Sequence, residues 1–183
     1  MTKFLAIVLS TFSLLFGAAQ AQETPEQVAT TYFETLKSDG IEAAPRFIHP
    51  KELERFKSML LPLFTAGGST DNLSTLFFGE KKTPEEISAM APSDFMSGFL
   101  SLAGAQLKSS NINLDKITVI GKINEGETVH VLIRSSTGND TFKLTKVEVI
   151  SMIPDGNNWK LLLFGEMEEM VQVIKSQLQK TGE

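Results

Sequence analysis

The sequence predicts an α+β domain: N-terminal helices packed on a curved four-stranded antiparallel meander, with an additional C-terminal helix. Three observations predict it. Apolar residues recur at helical spacing across residues 28–107, and from Asn111 the period changes to that of strands. Three turn signals, Asn124-Glu125-Gly126, Thr137-Gly138-Asn139 and Asp155-Gly156-Asn157, then divide the β-rich half into four runs. Turns this short join antiparallel neighbours, so a meander is the expected topology.

Residues 1–21 stand apart. Lys3 supplies a positive start, "FLAIVLSTFSLLF" a short apolar run, and Ala19-Gln20-Ala21 a small-x-small cleavage signal that leaves Gln22 as the first mature residue. About 13 apolar residues fall short of the roughly 20 that cross a bilayer, so a cleaved signal peptide is expected, with no membrane anchor after cleavage. The expected location is the periplasm, or the exterior where there is no outer membrane. The chain has no cysteine, so neither a lipid anchor at the cleavage site nor a disulfide is expected, and the core must supply the stability. Residues 22–183 suffice for a single domain. A net charge of −5 without a Lys/Arg stripe argues against nucleic acid and anionic membrane surfaces as partners.

In chain order, the helical half spans residues 24–108. Thr24-Pro25-Glu26-Gln27 is a capping box with proline at the first helical position; Val28, Tyr32, Phe33 and Leu36 follow at helical spacing, and Ser38-Asp39-Gly40 stops the helix. A short second helix from Ile41 must end by His49, because Pro50 pushes the residue before it out of helical geometry. "KELERFKSMLLPLF" carries Leu53, Phe56, Leu60 and Phe64 on one face, with Pro62 expected to kink or end it. Residues 65–82 read as loop, although Leu76-Phe77-Phe78 is too apolar to leave in water. Thr83-Pro84-Glu85-Glu86 repeats the helix-start signature, and breaks are expected at Pro92 and Gly98. The sheet half, 111–164, holds "KITVIGKI", "ETVHVLIRSS", "DTFKLTKVEVISMI" and "NWKLLLF"; Val129, Val131 and Ile133 share one face, His130, Leu132 and Arg134 the other. The stripe Met167, Met170, Val171, Ile174 and Leu178 predicts a closing helix over 166–180, its acids early and lysines late.

The opening "TPEQVATTYFETLKSDGIEAAPRFIHP" and the late strand "DGNNWKLLLF" resemble the SnoaL-like and nuclear-transport-factor-two-like superfamily. The resemblance implies a curved sheet wrapped around helices into a cone, where members often bind ligands or dimerise. The helical stretch 51–107 and the helix after Phe164 are longer than that pattern, and either would cover the cone's mouth or the sheet's outer face. Ketosteroid-isomerase-like members use a first-helix tyrosine to donate to an oxyanion, with an aspartate base and a protonated aspartate. The resemblance puts Tyr32, the only tyrosine, at that place, but His49-Pro50 stands where the Asp-Pro base belongs. Asp115, Asp140 and Asp155 fall at strand ends or in a turn.

The resulting expectation is an exported, non-catalytic binding protein that takes a small apolar ligand in the cone or an envelope protein partner. The candidate ligand-binding residues are Tyr32, Phe77, Phe78, His130 and Arg134, with Tyr32 and His130 the weak catalytic candidates. Each has a plainer reading: Tyr32 as a core aromatic, "LFFG" at 76–79 as a core anchor rather than a lid, and His130 with Arg134 as a solvated pair. His49 beside Arg46 reads as punctuation, its ring bonded to a nearby carbonyl. Met167 and Met170 could meet a partner or pack on their own sheet. Two scattered histidines without cysteine suggest no metal, and no nucleotide, phosphate-loop or nucleophile-elbow motif is present, so no cofactor is expected. Two alternatives stay open: a lyase or isomerase in which Tyr32, a histidine and an acid converge, and a homodimer without a pocket that uses the sheet's outer face.

Overall fold

The computed structural model describes residues 23–65, 70–111, 113–163 and 171–172. The expected signal peptide with its Ala21–Gln22 junction lies outside the described residues. So does the expected closing helix, except Val171 and Gln172, which are helical.

The fold is α+β. Helices α1 (Pro25–Asp39), α2 (Pro50–Thr65), α3 (Thr70–Phe78), α4 (Pro84–Ala89) and α5 (Pro92–Ser109) precede strands β1 (Asn113–Glu125), β2 (Thr128–Gly138), β3 (Lys143–Asp155) and β4 (Asn158–Leu161); a 3₁₀ helix, Ile41–Arg46, links α1 to α2. The strands form one sheet in the order β1-β2-β3-β4, every neighbour antiparallel, which is the meander that the three turn signals require.

Both helix-start signatures act as their residues dictate. Thr24 Oγ1 accepts the Gln27 N–H at 3.3 Å while Gln27 Oε1 accepts the Thr24 N–H at 2.8 Å, and Thr83 and Glu86 repeat the exchange on α4. Gly40, at φ 93°, ends α1 and returns its N–H to the Leu36 carbonyl.

Three expectations in the helical half are corrected. Pro62 does not end α2, which runs to Thr65, because its ring faces solvent while Leu60 and Phe64 on the other side are buried. Within residues 65–82, 70–78 are helix rather than loop. There Phe77 is buried, stacked on Phe99 at 5.1 Å, and the Ser74 hydroxyl accepts the Lys82 N–H. Gly98 does not break α5; the break falls at Met90-Ala91, and α5 begins on Pro92. A Cβ on Gly98 would lie 2.4 Å from the Phe78 ring, so glycine is what lets α3 approach α5.

The core is continuous from these helices to the sheet. Phe56, Phe64, Phe77 and Phe95 interlock with Phe78 and Phe99, mostly edge to face, and Val129, Val131 and Ile133 are buried beneath them. Alternation then fixes the inner face of β3 by its pairing with β2: Met152 opposes Val129, Ile150 opposes Val131, Glu148 opposes Ile133 and Lys146 opposes Ser135. α1 is tied to β1 by Lys122 on Glu26 and by Lys37 on the Asp115 carbonyl. The stretch 47–49 docks on β4, His49 N–H donating to the Leu161 carbonyl and the Leu161 N–H to that of Phe47, each at 2.9 Å.

The β2–β3 turn has no room for a side chain at Gly138. A Cβ there would meet the Phe142 carbonyl oxygen at 2.2 Å and the Lys143 Cα at 2.9 Å, both backbone atoms that cannot rotate aside. Gly138→Ala is expected to lower unfolding stability by about 2 kcal/mol through forced movement of the turn, read as a lower urea midpoint. A midpoint unchanged from the parent would refute the packing described here.

Candidate binding cavity

Between the sheet's inner face and the helices, open to solvent at the β3 edge, lies a cavity of about 930 Å³. Phe33 of α1, Ala44, Ile48, Phe56 of α2 and Met96 and Leu100 of α5 form its helical wall; residues 146–151 of β3 and 161–163 form the opposite side. The size suits a small organic molecule, whose sites run roughly 300–1,000 Å³ and are mostly apolar with a few placed polar groups.

Those polar groups gather at one end. Glu148, on the inner face of β3, accepts the Ser135 hydroxyl at 2.7 Å on one oxygen and the Lys146 ammonium at 2.5 Å on the other. Ser135 is buried, so its only useful orientation is toward the carboxylate. Tyr32 enters from α1, its ring held edge-on by Phe33 at 5.1 Å and Phe47 at 5.5 Å. Burial, with the Glu148 charge behind it, pushes the Tyr32 phenol up to about 12. Tyr32 is therefore a neutral O–H donor across the physiological range. That O–H makes no hydrogen bond to another described residue, and it is not among the buried atoms left without a partner, so it keeps access to the solvent of the cavity.

Of the five ligand candidates, only Tyr32 lines this cavity. Phe77 and Phe78 pack into the aromatic cluster with Phe64, Phe95 and Phe99 and form none of its wall. His130 and Arg134 sit on the opposite face of the sheet, one residue out of phase with buried Val129, Val131 and Ile133. Convergence of Tyr32 with His130 is thereby corrected: alternation along β2 puts the sheet between them.

His130 does make a chain of contacts with Ser151 Oγ at 2.8 Å and Glu125 Oε2 at 2.9 Å. The order serine, histidine, acid invites a nucleophilic reading. Ser151 is only 6% exposed, however, and Glu125 is an exposed residue beside the β1–β2 turn. The chain fastens that turn to β3. His49 is also corrected: its ring Nδ1 accepts the Lys51 N–H at 3.3 Å and its carbonyl takes the Glu52 and Leu53 N–H groups, so it starts α2, and among the described residues its ring bonds no carbonyl. Arg46 pairs with Asp39 at 2.8 Å.

Sequence reasoning missed Glu148 and Lys146. Both share the phase of Ile150 and Met152 in "KVEVISMI", and a charged pair on the core-facing phase of a strand was the available signal. Among the described residues, no three acids or histidines group to hold a metal, and no helix is long and apolar enough to cross a membrane. Comparison with protein-family models, curated proteins and solved structures finds no match to this chain.

Proposed function

We propose that this chain is an exported, non-catalytic binding protein that takes a lipophilic small molecule carrying a neutral hydrogen-bond acceptor into the cavity. The observation that carries the reading is the neutral Tyr32 O–H, without a partner among the described residues, at the polar end of a largely apolar space. A ligand carbonyl, ether or hydroxyl oxygen would satisfy it, and the apolar wall would bury the remainder. An anionic headgroup fits less well, because the Lys146 ammonium is already engaged by Glu148, whose own charge faces the same end. Export rests on the signal-peptide pattern of residues 1–21, and the resemblance of residues 24–50 to a superfamily of ligand-binding cones points the same way.

The isomerase-type alternative draws on the same pair, with Tyr32 as donor and Glu148 as base. It is disfavoured because Ser135 and Lys146 each occupy one oxygen of Glu148, so neither oxygen is free to reach a substrate proton. The pocketless homodimer is disfavoured by the cavity itself.

Nile red, a neutral lipophilic dye with a carbonyl acceptor, tests the proposal on the mature chain. Tyr32→Phe should weaken its binding by about 3- to 10-fold, the value of one net hydrogen bond. Met96→Trp, which fills the cavity from α5, should weaken it at least about 10-fold. Binding indifferent to both substitutions would place the dye elsewhere and remove the proposal.

A further inference from the structure

The two edges of the sheet are treated differently. The β1 edge is broken by register shifts at Leu114/Lys116 and Val119/Gly121 and is tied to α1, the usual ways of blunting an edge. β3 pairs with β2 without a shift, but β4 covers only its residues 152–155, and Leu162 N–H then reaches the Ser151 carbonyl at 2.8 Å. Residues 143–150 of β3 have no strand partner on this side among the described residues.

Backbone alternation says which groups are left over. The Ser151 carbonyl points to this edge, so the N–H and C=O of Val149, Val147, Thr145 and Lys143 point there too. Leu144, Val147 and Val149 are each more than half exposed there, interleaved with Lys143, Thr145, Lys146 and Glu148. A regular edge without a strand partner is a template for another strand.

We propose that the occupant is β3 of a second copy of this chain, paired antiparallel about a two-fold axis at Val147 and continuing one sheet across two protomers. Charge complementarity selects both the partner and the register. With Val147 opposite itself, the Lys146 of each copy, already on its own Glu148, also faces the Glu148 of the other, so the four charges alternate in sign. Both fall at non-hydrogen-bonded positions, where opposed side chains lie closest. Thr145 and Val149 then face each other at hydrogen-bonded positions, so the leftover groups of both edges are used. Moving the axis to Thr145 would oppose Lys146 to Leu144; moving it to Val149 would oppose Glu148 to Ile150. Either loses the ion pairs, and a one-residue slip would bring edge-pointing groups against inward-pointing ones. Residues 146–150 also border the cavity, so the pairing would place a second copy beside its β3 wall.

Sedimentation equilibrium of the mature chain is expected to give a dimer. Lys146→Glu sets acid against acid at both crossings and should raise the dissociation constant about 10-fold or more; Lys146→Glu with Glu148→Lys restores opposite signs and should recover the parent value. Because the chain lacks cysteine, register can be read directly. Val147→Cys should form an interchain disulfide on mild oxidation, its Cα atoms about 5.5 Å apart. Thr145→Cys, about 13 Å from its own copy by strand rise, should not. A monomer at all concentrations, a dimer indifferent to Lys146→Glu, or equal cross-linking at 145 and 147 would each overturn the pairing.

Discussion

Phe64→Ala is expected to lower unfolding stability by about 4 kcal/mol, enough to move the thermal midpoint by roughly 10 °C in a chain of this size. Phe64 sits where three helices meet. Its ring lies 5.7 Å from Phe77, 5.5 Å from Phe78 and 5.7 Å from Phe95, and the residue is essentially inaccessible to water. Removing it forfeits the transfer energy of a ring and leaves a void that rigid aromatic neighbours cannot collapse to fill. It forms no part of the binding cavity's wall, so no pre-existing space absorbs the loss. Leu76→Ala in adjacent α3 is the internal control: with 52% of the residue exposed, it should cost under about 1 kcal/mol. Urea unfolding with unchanged denaturant dependence would measure both. A Phe64→Ala loss no larger than that of Leu76→Ala would mean that the aromatic cluster is not the centre of the core.

The same cluster shows what a one-dimensional reading can and cannot recover. Both capping boxes are local chemistry, complete within four residues, and were legible as helix starts. The hairpin turns and the buried phase of β2 were legible for the same reason, since alternation needs no knowledge of the partner. α3 was not. It follows the loop-like Gly67-Gly68-Ser69 without a capping box in the sequence, and what holds it is packing with distant partners, Phe77 on Phe64 and Phe99. Tertiary contact of that kind overrides weak local preference. Gly98 misled in the opposite direction, since glycine in a helix reads as weakness until the Phe78 ring beside it is seen.

For the cavity, the position of Tyr32 on the inward stripe of α1 was readable. That Glu148 meets it was not, because the meeting depends on which phase of β3 faces the helices. That phase is set by the pairing of Glu148 opposite buried Ile133. The open edge of β3 follows from a difference in length between β3 and β4, and no single strand sequence reports its neighbour's length.

Tyr32 should resist ionisation until about pH 12, whereas the unfolded chain should titrate near 10. Tyr32 is the only tyrosine, so the rise in absorbance near 295 nm that marks phenolate reports this one group, and Trp159 adds a constant background. Between pH 10 and 12 the native state keeps a proton that the unfolded state releases. The unfolded state therefore binds fewer protons there, and stability must fall as pH rises through this window. A two-unit difference corresponds to about 3 kcal/mol, present in full below pH 10 and lost by about 12. Burial is the larger cause and the Glu148 charge the smaller, so Glu148→Gln should bring the native midpoint down, but only part of the way toward 10. Strictly, removing a negative neighbour makes the phenolate easier to form, which fixes the direction as downward. A bound ligand that accepts the Tyr32 O–H should move the midpoint up, since it favours the protonated form. A native titration that overlays the unfolded one near pH 10 would mean that water, and not an apolar cavity, surrounds the hydroxyl, and the proposed binding site would lose its support.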